Sequence, residues 1–98
     1  MKKEKQATLD RLVLRSIGEL EEKDSYVIPI LERVEDTTGR IIPIGDVYVT
    51  LERLTEKELV LSWLEKSQPD RERVKRYYTL TQAGKETLAE WESQQGED

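Results

Sequence analysis

The chain has 98 residues, enough for a single domain with one modest hydrophobic core. It contains no cysteine and no histidine, which excludes disulfides, thiolate metal sites and a histidine general base. Its 16 basic and 21 acidic residues give a net charge of −5, which argues against binding nucleic acid through overall charge. No apolar run approaches the roughly 20 residues that span a bilayer, and no signal-peptide pattern is present, so we expect a cytoplasmic protein.

The first predicted helix spans about residues 8–21, with Thr8 as its N-cap. Its apolar residues recur at the spacing that is typical of a helix with one buried face. These residues are Leu9, Leu12, Val13, Ile17 and Leu20. The polar segments at about residues 1–6 and 94–98 are expected to be short flexible ends of one domain that covers residues 1–98.

A second helix should begin either at Ser25 or at Pro29, because proline is tolerated in the first turn of a helix but not in its interior. Gly39 suits the left-handed residue that commonly ends a helix. Residues 41–44 include Pro43 and therefore predict only a brief extended segment.

The third predicted helix starts near Gly45 or Asp46. Its apolar spacing predicts a buried stripe of Val47, Leu51 and Leu54, together with Tyr48. The opposite side of this helix should then carry Asp46, Val49, Thr50, Arg53 and Lys57.

A hairpin is predicted next, with strands over residues 59–65 and 74–80 and a polar turn at 67–72. Four of the residues at 71–76 are basic and one is acidic, which makes the turn and the second strand locally +3. Local charge governs electrostatic steering within a Debye length, so this segment weakens the objection from net charge. A fourth helix should follow, with Thr81 as its cap.

The predicted order is α-α-(short β)-α-β-β-α, mostly α with a small antiparallel β wing. Three helices followed by a two-stranded wing predict a winged helix-turn-helix. In such a domain one helix can enter a DNA groove while the hairpin contacts the backbone.

Two motifs in the second half of the chain resemble those of a known family. Residues 45–54 fit a Gly-x-x-Tyr-x-x-Leu-x-x-Leu pattern through Gly45, Tyr48, Leu51 and Leu54. Residues 76–84 fit a basic-Tyr-Tyr-x-Leu-Thr-x-x-Gly pattern that ends at Gly84. With these motifs at the correct separation, residues 9–91 resemble the N-terminal domain of PadR-like transcriptional regulators.

The resemblance implies a homodimeric repressor that binds a double-stranded DNA operator. By position, Val49, Thr50 and Arg53 are then candidates for contacts with base edges, and the Tyr48 hydroxyl is a candidate for a phosphate contact. The wing would contact the DNA through Arg71, Arg73 and Lys75. Family members usually have glycine where this chain has Glu58, which implies a left-handed backbone at that residue.

Short members of the family dimerise through the fourth helix with help from the first. The resemblance therefore implies a dimer or ligand interface at Leu9, Leu12, Leu88 and Trp91. Trp91 either belongs to the core or dimer seam, or stacks on a small hydrophobic effector. No cofactor or metal is expected.

Two other classes of function compete with a DNA-binding regulator. An enzyme would need its carboxylates gathered beside a nucleophile or a cleft, and the sequence pattern does not gather them. The main alternative is a winged-helix adaptor that binds a protein partner and binds DNA weakly or not at all.

Overall fold

The computed structural model describes the backbone of residues 2–66 and 73–95 and the side chains of residues 8–66 and 73–94. The predicted Arg71 contact lies outside this part of the chain. Within it, the helices are α1 (Lys2–Glu19), α2 (Val27–Thr38), α3 (Ile44–Glu56) and α4 (Gln82–Gln95). Strands β1 (Val60–Lys66) and β2 (Val74–Leu80) lie between α3 and α4, and a 3₁₀ turn at Glu22–Asp24 joins α1 to α2. The predicted winged-helix order is confirmed.

Helix α1 begins at Lys2, so the prediction that Thr8 caps it is wrong. Residues 2–7 are lysine, glutamate, glutamine and alanine, all strong helix formers that extend a helix without an apolar pattern. Flexible chain ends stay a prediction. None of the helices in the described ranges is long and apolar enough to cross a membrane.

The core is built around α1, which packs against α2, α3, α4 and β2. Because α1 has neighbours on several sides, its buried face is wider than the predicted stripe and includes the fully buried Leu14. The side chains that complete the core are Ile30, Val34, Val47, Leu51, Leu54, Leu59, Val60 and Tyr78.

The connection between α2 and α3 follows from three residues. Pro29 is the third residue of α2, within the first turn as predicted, and Gly39 ends the helix at φ 70°. Residues 41–43 belong to no helix or strand, so the predicted short β segment is not part of the sheet, which has the order β1-β2 in the described residues. Pro43 then stands at the N-cap of α3.

The wing consists of β1, β2 and their connection. The strands are antiparallel and pair from Val60 opposite Leu80 to Lys66 opposite Val74. The Tyr78 amide donates a 2.9 Å hydrogen bond to the Ser25 carbonyl, which ties the free edge of β2 to the start of α2. This bond fixes the wing relative to the helix-turn-helix.

Four residues where α3 ends and α4 begins form what we call the α3–α4 corner: Glu58, Leu59, Thr81 and Gly84. Glu58 is left-handed at φ 62°, as the glycine that family members usually have at this position implied. The Thr81 hydroxyl donates to the Glu58 carbonyl at 2.7 Å and accepts from the Gly84 amide at 2.9 Å, which makes Thr81 the predicted cap of α4. A Cβ atom on Gly84 would overlap the Leu59 carbonyl, so only glycine fits there.

Candidate nucleic-acid interface

One side of α3 is not covered by other described elements, and we call it the exposed face of α3. Its central residues are Gly45, Val49, Glu52 and Glu56, which lie three or four positions apart and therefore share one line of the helix. Val49 is 56% exposed although it is apolar. The sequence interpretation missed Glu52 and Glu56, which helical spacing from Val49 would have found.

Two residues of α3 were assigned to the wrong side by the sequence interpretation. Thr50 is 1% exposed, and its hydroxyl donates to the Asp46 carbonyl at 2.7 Å. Tyr48 was placed in the buried stripe but is 52% exposed. The spacing explains both errors, because Thr50 lies three positions after Val47 and four before Leu54, whereas Tyr48 is rotated by about 100° from Val47.

Tyr48 lies at the edge of the exposed face that is nearest to the wing. Burial raises the pKa of the neighbouring Tyr78 phenol above its ordinary value, Arg76 lowers it and Tyr48 raises it further. The Tyr48 side chain is therefore close to the root of β2.

Arg53 lies at the opposite edge, against α1. Its Nη2 and Nε atoms donate to Oδ1 and Oδ2 of Asp10 at 2.6 and 3.3 Å. These hydrogen bonds raise the pKa of Arg53, partial desolvation opposes the shift, and the charge of Asp10 adds to it. Asp10 itself is 5% exposed, and the Lys57 ammonium lies 4.0 Å from its Oδ2. The sequence carries no signal for this pair, because the residues are 43 positions apart.

The basic residues of the wing differ in their surroundings. The Lys75 ammonium lies 4.0 Å from the centre of the Tyr26 ring, in a cation–π contact. Arg76 donates to the Ser62 hydroxyl at 2.9 Å rather than to a carboxylate. Arg73 is exposed and stands next to the start of β2. The wing cations therefore differ in what holds them before any DNA is bound.

Three aromatic residues pack at the middle of the wing. Tyr77 meets the Tyr26 ring edge-on, with centroids 5.6 Å apart, and stacks on Trp63 at 5.9 Å. The Trp63 indole donates to Glu65 at 2.8 Å. These contacts join both strands to the start of α2 at the middle of the hairpin.

The predicted dimer residues are divided between the core and the surface. Leu12 is 6% exposed within the monomer core, which contradicts its assignment to an interface. Leu9, Leu88 and Trp91 are partly buried and pack against that core. An open groove of about 580 Å³ lies between α1, β2 and α4 and is lined by Leu88 together with charged residues that include Arg15 and Lys85.

A helix-turn-helix made by α2 and α3, followed by a two-stranded wing and a return helix, defines a winged-helix protein. The model of the Transcriptional regulator PadR-like family matches residues 16–90. The chain therefore belongs to the PadR-like family of transcriptional regulators.

Solved structures have the same fold. A PadR-like transcription factor from Bacteroides fragilis is 21% identical, with a TM-score of 0.79 over 98% of this chain and 87% of that one. A PadR-like regulator from Bacillus cereus is 22% identical, with a TM-score of 0.78 over 92% and 82% of the two chains. A PadR family regulator from Clostridium difficile is 26% identical, with a TM-score of 0.73 over 88% and 84%. No curated protein matches the chain.

Proposed function

We propose that this protein is a sequence-specific, DNA-binding transcriptional repressor. It acts as a homodimer, with the exposed face of α3 in the major groove and the wing on the DNA backbone. The observation that carries the proposal is the uncovered side of α3, where Tyr48 and Val49 stay more than half exposed beside a wing that bears Arg73, Lys75 and Arg76. A helix presented next to a basic hairpin suits one groove and its flanking phosphates.

Several residues on the exposed face of α3 and at its edges suit particular contacts with DNA. Val49 offers an apolar surface to a thymine methyl group, and Arg53 offers donors to a guanine. Glu52 can accept a hydrogen bond from a cytosine amino group. The Tyr48 hydroxyl, at the edge near the wing, suits a phosphate. Thr50 has no part in this interface because it is buried.

The charge of α3 assigns the phosphate contacts to the wing. Asp46, Glu52 and Glu56 make the exposed side of the helix acidic, which disfavours phosphates close to it. Arg71, Arg73 and Lys75 are the proposed phosphate contacts, and a dimer would present each of them twice. The protein has no catalytic role in this proposal, and it acts in the cytoplasm with the DNA that it binds.

Dimerisation is proposed through α1 and α4, by way of Leu9, Leu88 and Trp91. Two-fold symmetric regulators bind half-sites about one helical turn apart, so the operator should be a pseudo-palindrome. The open groove of about 580 Å³ beside Leu88 has the size of a small-molecule site, and we propose it as the place where a small hydrophobic effector would bind.

The test is selection of duplexes by the protein from a library with a random segment of about 30 base pairs, long enough for two half-sites. We expect an enriched pseudo-palindrome whose binding, followed by fluorescence anisotropy, weakens steeply between about 50 and 200 mM salt, the range over which phosphate contacts are screened. Replacing Arg73 with Ala should weaken binding of the selected duplex and of a shuffled duplex by the same factor. The slope of log binding constant against log salt concentration should decrease by about 0.9 for each phosphate that is no longer neutralised. Light scattering after gel filtration should give the mass of a dimer. Failure to enrich any sequence, with no binding at low salt, would refute the proposal.

A protein-binding adaptor is the second candidate. Leu61, Leu64 and Val74 are 57–60% exposed on the wing, and exposed apolar side chains favour a protein partner. An adaptor would enrich no duplex in the selection. Replacing Leu61 and Leu64 with Ser should then abolish capture of its partner, whereas DNA binding by a repressor should survive these changes.

A further inference from the structure

The side chain of Arg53 is held in place by a carboxylate from a different helix. Its Nη2 and Nε atoms make two parallel hydrogen bonds to the two oxygens of Asp10, at 2.6 and 3.3 Å. Charge-assisted bidentate pairs of this kind are strong and fix the plane of the guanidinium group. Because Asp10 is 5% exposed, the packing of α1 on α3 fixes the carboxylate as well.

Asp10 does not contact the end of the guanidinium group that carries Nη1. An arginine has five N–H donors, and Asp10 takes the one on Nε and one of the two on Nη2. The Thr50 hydroxyl is 3.4 Å from Nη2, a long and therefore weak contact. Among the described residues, both hydrogens of Nη1 have no partner, and an arginine uses its Nη1 and Nη2 end in its bidentate contact with guanine O6 and N7.

We propose that Asp10 is a positioning residue for base reading, which presents the free end of Arg53 to a guanine at the α1 edge of the exposed face of α3. This inference rests on the proposed function of the protein. Asp10 orders the flexible side chain of Arg53 before DNA arrives. The entropy cost of ordering this side chain therefore does not weaken DNA binding. It also adds little repulsion of phosphates, because the Lys57 ammonium lies 4.0 Å from the same carboxylate and the three groups together are positive.

The opposite role for the pair would be a brake, in which Asp10 withholds Arg53 from DNA. The two roles predict opposite effects of Asp10→Asn, which keeps the shape of the side chain but removes its charge and one acceptor oxygen. Positioning predicts weaker binding to the preferred sequence, whereas a brake predicts tighter binding to every sequence.

The experiment compares Asp10→Asn with Asp46→Asn, which removes the same charge from an exposed residue of α3 that is not paired with Arg53. The probes are the duplex that the wild-type protein selects from the random library, single-base variants of it, and a shuffled duplex. We expect Asp10→Asn to weaken binding of the selected duplex about 3- to 10-fold, the cost of ordering one long side chain on binding. It should also flatten the preference at one guanine of each half-site. Asp46→Asn should keep that preference.

A second variant keeps the test decisive if Asp10→Asn folds poorly. Arg53→Lys retains the charge but cannot make the bidentate contact, so it should lose the preference for the same guanine. In the DNA-free protein, the NMR signal of the Arg53 Nε–H should exchange slowly with water in the wild type and fast in Asp10→Asn.

Three outcomes would overturn the inference. Equal or tighter binding of the selected duplex by Asp10→Asn, relative to Asp46→Asn, would support a brake instead. An unchanged base preference in both Asp10→Asn and Arg53→Lys would show that Arg53 reads no base. If the wild-type protein enriches no sequence, the proposed function fails and this inference fails with it.

Discussion

The α3–α4 corner and the exposed face of α3 differ in what constrains their residues. At the corner, the Thr81 hydroxyl is hydrogen-bonded to the Glu58 carbonyl and the Gly84 amide. Gly84 lies so close to the Leu59 carbonyl that there is no room for a Cβ atom. On the exposed face, Val49 and Glu52 are exposed to solvent. The corner residues of the family motif are therefore required by the fold. A match there identifies the architecture, whereas the proposed contacts with DNA use residues that the fold does not constrain in this way.

The largest expected effect is at Gly84. Its Cβ would overlap the Leu59 carbonyl oxygen and lie 3.0 Å from the carbonyl carbon, so Gly84→Ala must displace backbone. We expect a loss of about 3 kcal/mol in the free energy of unfolding, measured in urea. Gly45→Ala is the control, because a Cβ there meets nothing within 4 Å. Alanine at that helical position should be neutral or stabilising by less than about 1 kcal/mol. Equal losses in the two variants would remove the distinction between the regions.

The next effect is at Thr81. Thr81→Ala removes the hydroxyl that accepts from the Gly84 amide and donates to the Glu58 carbonyl. Loss of a helix cap costs about 1 kcal/mol, and we expect a decrease of that size in the same urea measurement. Thr81→Ser keeps the hydroxyl and should retain most of the stability. Similar losses in both variants would mean that the methyl group, rather than the cap, matters.

A gain in stability is expected at Glu58. Because this residue is left-handed at φ 62°, Glu58→Gly should raise the free energy of unfolding by up to about 1 kcal/mol. Glu58→Ala removes the side chain but keeps the Cβ atom, so it should bring no comparable gain. A gain of equal size in the alanine variant would trace the effect to the charge of Glu58 instead of its backbone.

The smallest effect on stability is expected on the exposed face. Glu52→Gln removes a charge from an exposed position, and its free energy of unfolding should stay within about 0.5 kcal/mol of the wild type. Its binding to a shuffled duplex should tighten about 2- to 5-fold, the effect of a surface charge pair. Glu32→Gln, on an exposed position of α2, is the matched control for net charge. A clear loss of stability in Glu52→Gln would show that the exposed face also supports the fold.

Local patterns predicted most of the elements. Alternating side chains predicted β2 with its observed bounds. The glycine that family members usually have at position 58 implied the left-handed backbone of Glu58. The start of α1 was missed because polar helix formers carry no periodic signal. At the candidate interface, Val49 was placed correctly as exposed, whereas Tyr48 and Thr50 were exchanged between the two sides of α3.

The order of helices and strands, the wing and the caps at Gly39 and Thr81 follow from the amino-acid sequence alone, because spacing, glycine, proline and threonine act on the backbone within a few residues. Whether a side chain of α3 is free to read DNA depends on neighbours that are distant in the chain. Only the packing of α1 on α3 pairs Asp10 with Arg53. Only long-range contacts such as the Tyr78–Ser25 hydrogen bond and the Tyr77–Tyr26 ring contact fix the wing beside α2. Contacts of that range leave no periodic pattern in a sequence, so the tertiary structure alone decides them.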